Sequence, residues 1–154
     1  MGEKYLEDLN KAFDEKWIDI YPSEGKRSGA YSWGCYDSYP YLLLNYNDTV
    51  DAVSTMGHEL GHSMHSYYSH KNQTYVDSQY PIFLAEIAST VNEVLINDYL
   101  YKNAKTKEEK IFYLTDFLET VRTTIYRQTM FAEFEMIMHE KEQNGVPLTE
   151  EELS

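Results

Sequence analysis

His58-Glu59-Leu60-Gly61-His62 lies inside an uninterrupted helical run, and this constrains the chain more than any other feature. Residues four apart on a helix share a face, so both imidazoles can turn toward one metal ion. Glu59 projects beside that face, within reach of a water held there. The pattern His-Glu-x-x-His predicts a zinc peptidase site, provided the segment is helical and a third ligand exists. The alternative is an exposed helix carrying two unrelated histidines.

Local chemistry predicts the helix. Asn47, Asp48 and Thr49 offer capping oxygens, and Asp51 places an acid against the positive end of the helix dipole. Val50, Val53, Leu60, Met64 and Tyr67 recur at helical spacing, and no proline interrupts residues 49–71.

A catalytic zinc wants three protein ligands and one open position. His65 and Tyr68 occupy the slots where a metzincin would carry Gly and His, so that class is excluded. His65 shares the face of His58 and His62, but a ligand there would close the open position. It reads as a packing group or a support for the ligands. Glu86 is the better third ligand. It sits on a second predicted helix opened by Pro81, among Ala85, Ala88, Val91, Val94 and Leu95, an apolar setting in which an unpaired carboxylate is costly. The other reading of Glu86 is a solvated helix-edge residue. Asp77 is the rival ligand, in a polar loop that suits a turn or cap. Glu93, two turns beyond Glu86, is the preferred acid to hold a ligand imidazole, with Ser89 and Thr90 between them as possible supports.

These stretches together resemble the thimet-oligopeptidase-like (M3) zinc metallopeptidases, and most closely the bacterial oligoendopeptidase F branch. The likeness is carried by residues 25–34 (GKRSGAYSWG) with 40–46 (PYLLLNY), by 58–68 (HELGHSMHSYY), by 82–93 (IFLAEIASTVNE) and by 126–135 (YRQTMFAEFE). The resemblance implies one zinc ion per chain held by His58, His62 and Glu86, with Glu59 as general base and His65 outside the ligand set. It implies a mainly α, gluzincin-type core that hydrolyses short peptides in a channel between two helical halves. Members of that family are several times longer and carry a C-terminal cluster of His and Tyr that stabilises the tetrahedral intermediate; no segment here matches it. The chain is therefore expected to be a catalytic core segment. The alternative function is a catalytically impaired zinc-binding fragment that needs the missing segment. A metal-free helical interaction protein is the third reading.

Composition narrows the partners. A chain of 154 residues with 42% hydrophobic and 15% aromatic content suits one folded domain. Its 15 tyrosines suit either a wet channel wall or ordinary amphipathic packing. A net charge of −13 repels phosphate backbones and anionic membranes. No apolar run is long enough to span a bilayer. Cys35 is the only cysteine, so no internal disulfide forms, and its slot reads as a strand position. There is no signal-peptide pattern, and the expected location is the cytoplasm.

Leu6, Leu9, Phe13 and Trp17 predict an amphipathic first helix. Residues 31–36 and 41–46 predict a small antiparallel β-hairpin turning around residues 37–40. Gly29, Ala30 and Tyr31 resemble the edge element that pairs with a substrate backbone, and a purely structural hairpin is the alternative. Thr106 with Glu109 forms a capping box that opens a helical run to Asn144, long enough to bend or break. In that run Arg122, Arg127 and Glu135 form either an ion-pair network or a charged face. Asn144-Gly145 before Pro147 predicts a helix stop, and Thr149 with Glu152 predicts the start of a further helix. A chain that ends inside that new helix is expected to be truncated. Apolar surface left by missing neighbours would favour self-association.

Overall fold

The computed structural model describes residues 2–151. It is mainly helical with one small sheet. The elements are α1 (Glu3–Asp14), β1 (Ile18–Asp19), β2 (Tyr31–Trp33), β3 (Tyr41–Leu43), α2 (Val50–Asn72), α3 (Ile82–Asn103), α4 (Lys107–Val121) and α5 (Arg127–Gln143). Two compact units divide between Leu100 and Tyr101.

The first unit builds its core where α1, the sheet and α2 meet. Ala12, Trp17, Leu42, Leu60 and Met64 are buried together. Burying each large member contributes about 1.5–3 kcal/mol. The buried face of α1 is only partly the expected one, since Leu9 packs against the core but two of its apolar companions do not. Leu6 and Phe13 are exposed, and Ala12 and the Asp8 carboxylate turn inward. The reason is polar: Asp8 accepts hydrogen bonds from Lys11 (2.6 Å), Lys4 (3.2 Å) and the Tyr68 hydroxyl of α2 (2.9 Å). Trp17 lies beyond the end of α1 and still reaches the core.

The predicted hairpin is present but shorter, with Tyr31 opposite Leu43 and Trp33 opposite Tyr41. Cys35 falls past the end of β2, exposed, and not in a strand. A third strand escaped the sequence reading. β1 runs parallel to β3, pairing Ile18 with Leu42, in the order β1-β3-β2. β2 is therefore an edge strand.

The Thr49 hydroxyl caps α2, accepting from the Ala52 N–H at 3.2 Å. α3 departs from its apolar pattern. Ile82, Phe83, Ile87 and Val91 are exposed, and Ser89 and Asn92 face inward. Small and polar residues win this face because α3 runs very close to α2. A Cβ on Gly61 would stand 2.7 Å from both the Ala88 carbonyl oxygen and the Ser89 Cα. The Asn92 amide then donates to the Gly57 carbonyl of α2 at 3.0 Å.

The second unit contains α4 and α5. The Thr106–Glu109 capping box forms as expected. The long run is interrupted at Arg122–Tyr126, which adopts π-helical geometry. There Arg122 pairs with Glu119, one turn earlier on the same run. α5 stops at Gly145 (φ +71°), where the Val146 N–H returns to the Lys141 carbonyl at 2.9 Å. The helix expected from Thr149 and Glu152 depends on Glu152, outside the described residues.

Candidate metal centre

α2 carries His58 and His62 one turn apart, with their Nε2 atoms 3.0 Å from each other. The close passage of α3 brings Glu86 to the same point. Its Oε2 lies 3.5 Å from His58 Nε2 and 3.6 Å from His62 Nε2. Tetrahedral zinc with bonds of about 2.0–2.1 Å sets its ligand atoms about 3.3 Å apart. The observed triangle brackets that spacing, so this donor set fits the ion. Among the described residues these three form the one cluster of His, Cys, Asp or Glu able to hold a metal.

Neighbouring groups orient each donor. Glu93 Oε1 lies 3.0 Å from His58 Nδ1, so that nitrogen donates to the carboxylate and Nε2 is left to face the cluster. The same carboxylate raises the His58 pKa against the pull of burial. Burial, and then the nearby His58 charge, lower that of His62. Glu86 is half-exposed rather than enclosed by the apolar side chains around it in sequence. Its Oε2 is fixed by the fully buried Ser89, whose hydroxyl donates to it at 2.9 Å. Thr90 instead bonds backbone carbonyls on α3.

Glu59 is 8% exposed. Burial raises its carboxyl pKa, and the His58 charge partly opposes that rise. The Glu86 charge on α3 adds to the rise.

Two residues weighed as ligands stand elsewhere. His65 stacks on Tyr80 with ring centroids 3.8 Å apart, and its buried Nδ1 has no hydrogen-bond partner. Asp77 accepts from Thr74 within a turn, at 2.8 Å. Gly29 and Ala30 line a cavity of about 390 Å³ together with Asp51, Thr55 and Glu59, and Tyr31 opens the edge strand beside it. The Asn45 amide holds this approach by donating to the Arg27 and Gly29 carbonyls, both at 2.8 Å.

Sequence reasoning missed the tight seam between α2 and α3. Its signal was available: Gly57 and Gly61 are four residues apart and mark one helix face without side chains. It also missed the contact between Ser32 and Ser63, whose hydroxyl oxygens are 2.7 Å apart.

Known proteins agree with this architecture. The oligopeptidase PepF of Bacillus subtilis is 46% identical over 154 residues, covering 100% of this chain and 23% of PepF. The chromosomal oligoendopeptidase F of Lactococcus lactis subsp. cremoris is 47% identical over 153 residues, 99% of this chain and 25% of that protein. The crystal structure of a candidate peptidase from Chlamydophila abortus superposes with a TM-score of 0.85 at 53% identity, covering 98% of this chain and 26% of that one. The chain thus spans about a quarter of the length of these relatives. Residues 2–154 match the family described as Peptidase family M3, and a match of that extent means that the chain belongs to it.

Proposed function

We propose that this segment is the zinc-binding catalytic core of an endopeptidase that hydrolyses short peptides. The observation that carries the reading is the triangle of His58, His62 and Glu86 at zinc-ligand spacing, with the buried Glu59 next to His58 in the chain and within reach of the charges of His58 and Glu86. One zinc per chain, when bound, supplies Lewis-acid polarisation of the scissile carbonyl and makes water more acidic.

The chain's own residues do the rest. Glu59 takes the proton of the attacking water on its carboxylate and returns it to the leaving amine. Glu93 and Ser89 keep the donors aimed. The free edge of β2, which opens at Tyr31 and is led into by Gly29 and Ala30, pairs with the substrate backbone, which recognises peptides without reading sequence. No helix among the described residues is long and apolar enough to cross a membrane, and we assign the reaction to the cytoplasm. The acidic chain is assigned no nucleic-acid partner. The apolar residues exposed along α3 are a surface through which copies could associate.

A second reading keeps the zinc site and withholds turnover. The chain spans about a quarter of its relatives' length, and loss of one oxyanion donor costs roughly 10²–10³ in rate. An assay on a quenched peptide separates the two, run with the chain alone and then with the remaining segment of a relative added. Glu59→Gln should abolish cleavage while zinc content stays at one per chain. Substantial turnover by that variant removes Glu59 from the role of base.

A further inference from the structure

Ser63 is fully buried, four residues after Glu59, so the two side chains share a face of α2. That face meets β2. Ser32 sits between Tyr31 and Trp33, which are exposed, so its side chain points to the opposite side of the strand. There its hydroxyl meets that of Ser63 at 2.7 Å. Leu60 and Met64, which flank this face, pack into the apolar core, where an alanine at position 63 would need no partner. A serine does need one, and it finds it on the edge strand. Gly29 and Ala30, which lead into β2, line one cavity with Glu59, so the strand and the carboxylate border the same space.

We propose that the Ser32–Ser63 hydroxyl pair is a strut that fixes the height of β2 above Glu59, making both serines positioning residues for the base. The inference rests on the peptidase reading of the site. A displacement near 1 Å costs about 10²-fold in rate when reacting groups are misaligned. A tether that governs this spacing therefore acts on kcat. One that only shaped the substrate groove would act on KM, and one that only glued the fold would move neither.

The test compares Ser63→Ala, Ser32→Ala and Ser32→Thr, each loaded with zinc and checked for one metal per chain. Both alanine variants should lose kcat about tenfold, inside the range set by such misalignment, with KM nearly unchanged. Ser32→Thr keeps the oxygen and suits a strand, so it should recover most of the loss. A raised KM with intact kcat, or kinetics like the parent, overturns the proposal. Amide exchange at Ser32 gives an independent readout. It should quicken in Ser63→Ala, and unchanged exchange in that variant also overturns the strut. If the parent chain cleaves no peptide either alone or with the remaining segment of a relative added, the peptidase reading fails on that result, and the exchange data alone decide the strut.

Discussion

Glu93 Oε1 and His58 Nδ1 are 3.0 Å apart across the seam between α3 and α2. This contact commits one imidazole nitrogen to donation and leaves the other facing His62 and Glu86. Removing such a partner typically costs 10–100-fold in metal affinity. Glu93→Ala should therefore weaken zinc binding by about that factor in competition with a chromogenic chelator. Glu93→Gln, which still offers an acceptor oxygen, should fall between the variant and the parent. Parental affinity in Glu93→Ala would reduce Glu93 to a surface acid.

The seam itself can be tested through its two glycines. An added methyl at Gly61 meets backbone atoms of Ala88 and Ser89, which cannot move without shifting α3. Overpacking of this kind costs about 1–3 kcal/mol. At Gly57 the methyl meets mainly the tip of the Ile96 side chain, which can rotate away. Alanine also favours a helix interior over glycine by about 1 kcal/mol. Gly57→Ala should thus melt close to the parent temperature. Gly61→Ala should melt lower and bind zinc more weakly, because Glu86 and Ser89 travel with α3. Equal behaviour of the two variants would mean that helix spacing does not control the site.

The contrast between these glycines shows what could be read from the sequence. Helical spacing placed both histidines on one face, and cap residues fixed where α2 begins, because both signals are local. Glu86 was singled out for the wrong environment. Apolar periodicity assigned Val91 and Leu95 to a buried face, but close helix packing selects small side chains, so Ser89 and Asn92 turned inward. On α1 the charged Asp8 took a core position because its partners lie on three other turns of helix. β1 has two residues, too few to show alternation. The Ser32–Ser63 contact joins residues 31 apart and leaves no local trace.

Asp8 makes the pH dependence of the fold predictable. Hydrogen bonds from Lys11, then from Tyr68 and Lys4, hold its carboxyl well below the usual carboxylate range, although burial opposes them. A carboxyl with a depressed folded-state pKa stabilises the fold above its unfolded value, near 3.9, and that contribution fades as pH falls toward the folded value. Asp8→Asn should melt below the parent at pH 7. The gap should narrow steadily once pH drops under about 4. The Tyr68 hydroxyl, pushed up to about 12 by burial and by Asp8, should stay protonated in the parent through pH 10. A constant melting gap from pH 7 to pH 3 would show that Asp8 acts by shape rather than charge.

Glu86 lies 3.5 Å and 3.6 Å from the two imidazoles, and Asp77 is engaged in its own turn, so thermal shifts can separate these two acids. A ligand that binds only the folded state stabilises it by about 2.7 kcal/mol at one hundred times its Kd. Zinc should raise the melting temperature of the parent, and a chelator should reverse the gain. Asp77→Asn should keep the full response. Glu86→Gln removes a charged donor and should lose most of it, while its metal-free melting temperature stays near the parent's, since the carboxylate is half-exposed. A full zinc response in Glu86→Gln, or its loss in Asp77→Asn, would move the third ligand out of α3 and into the loop before it.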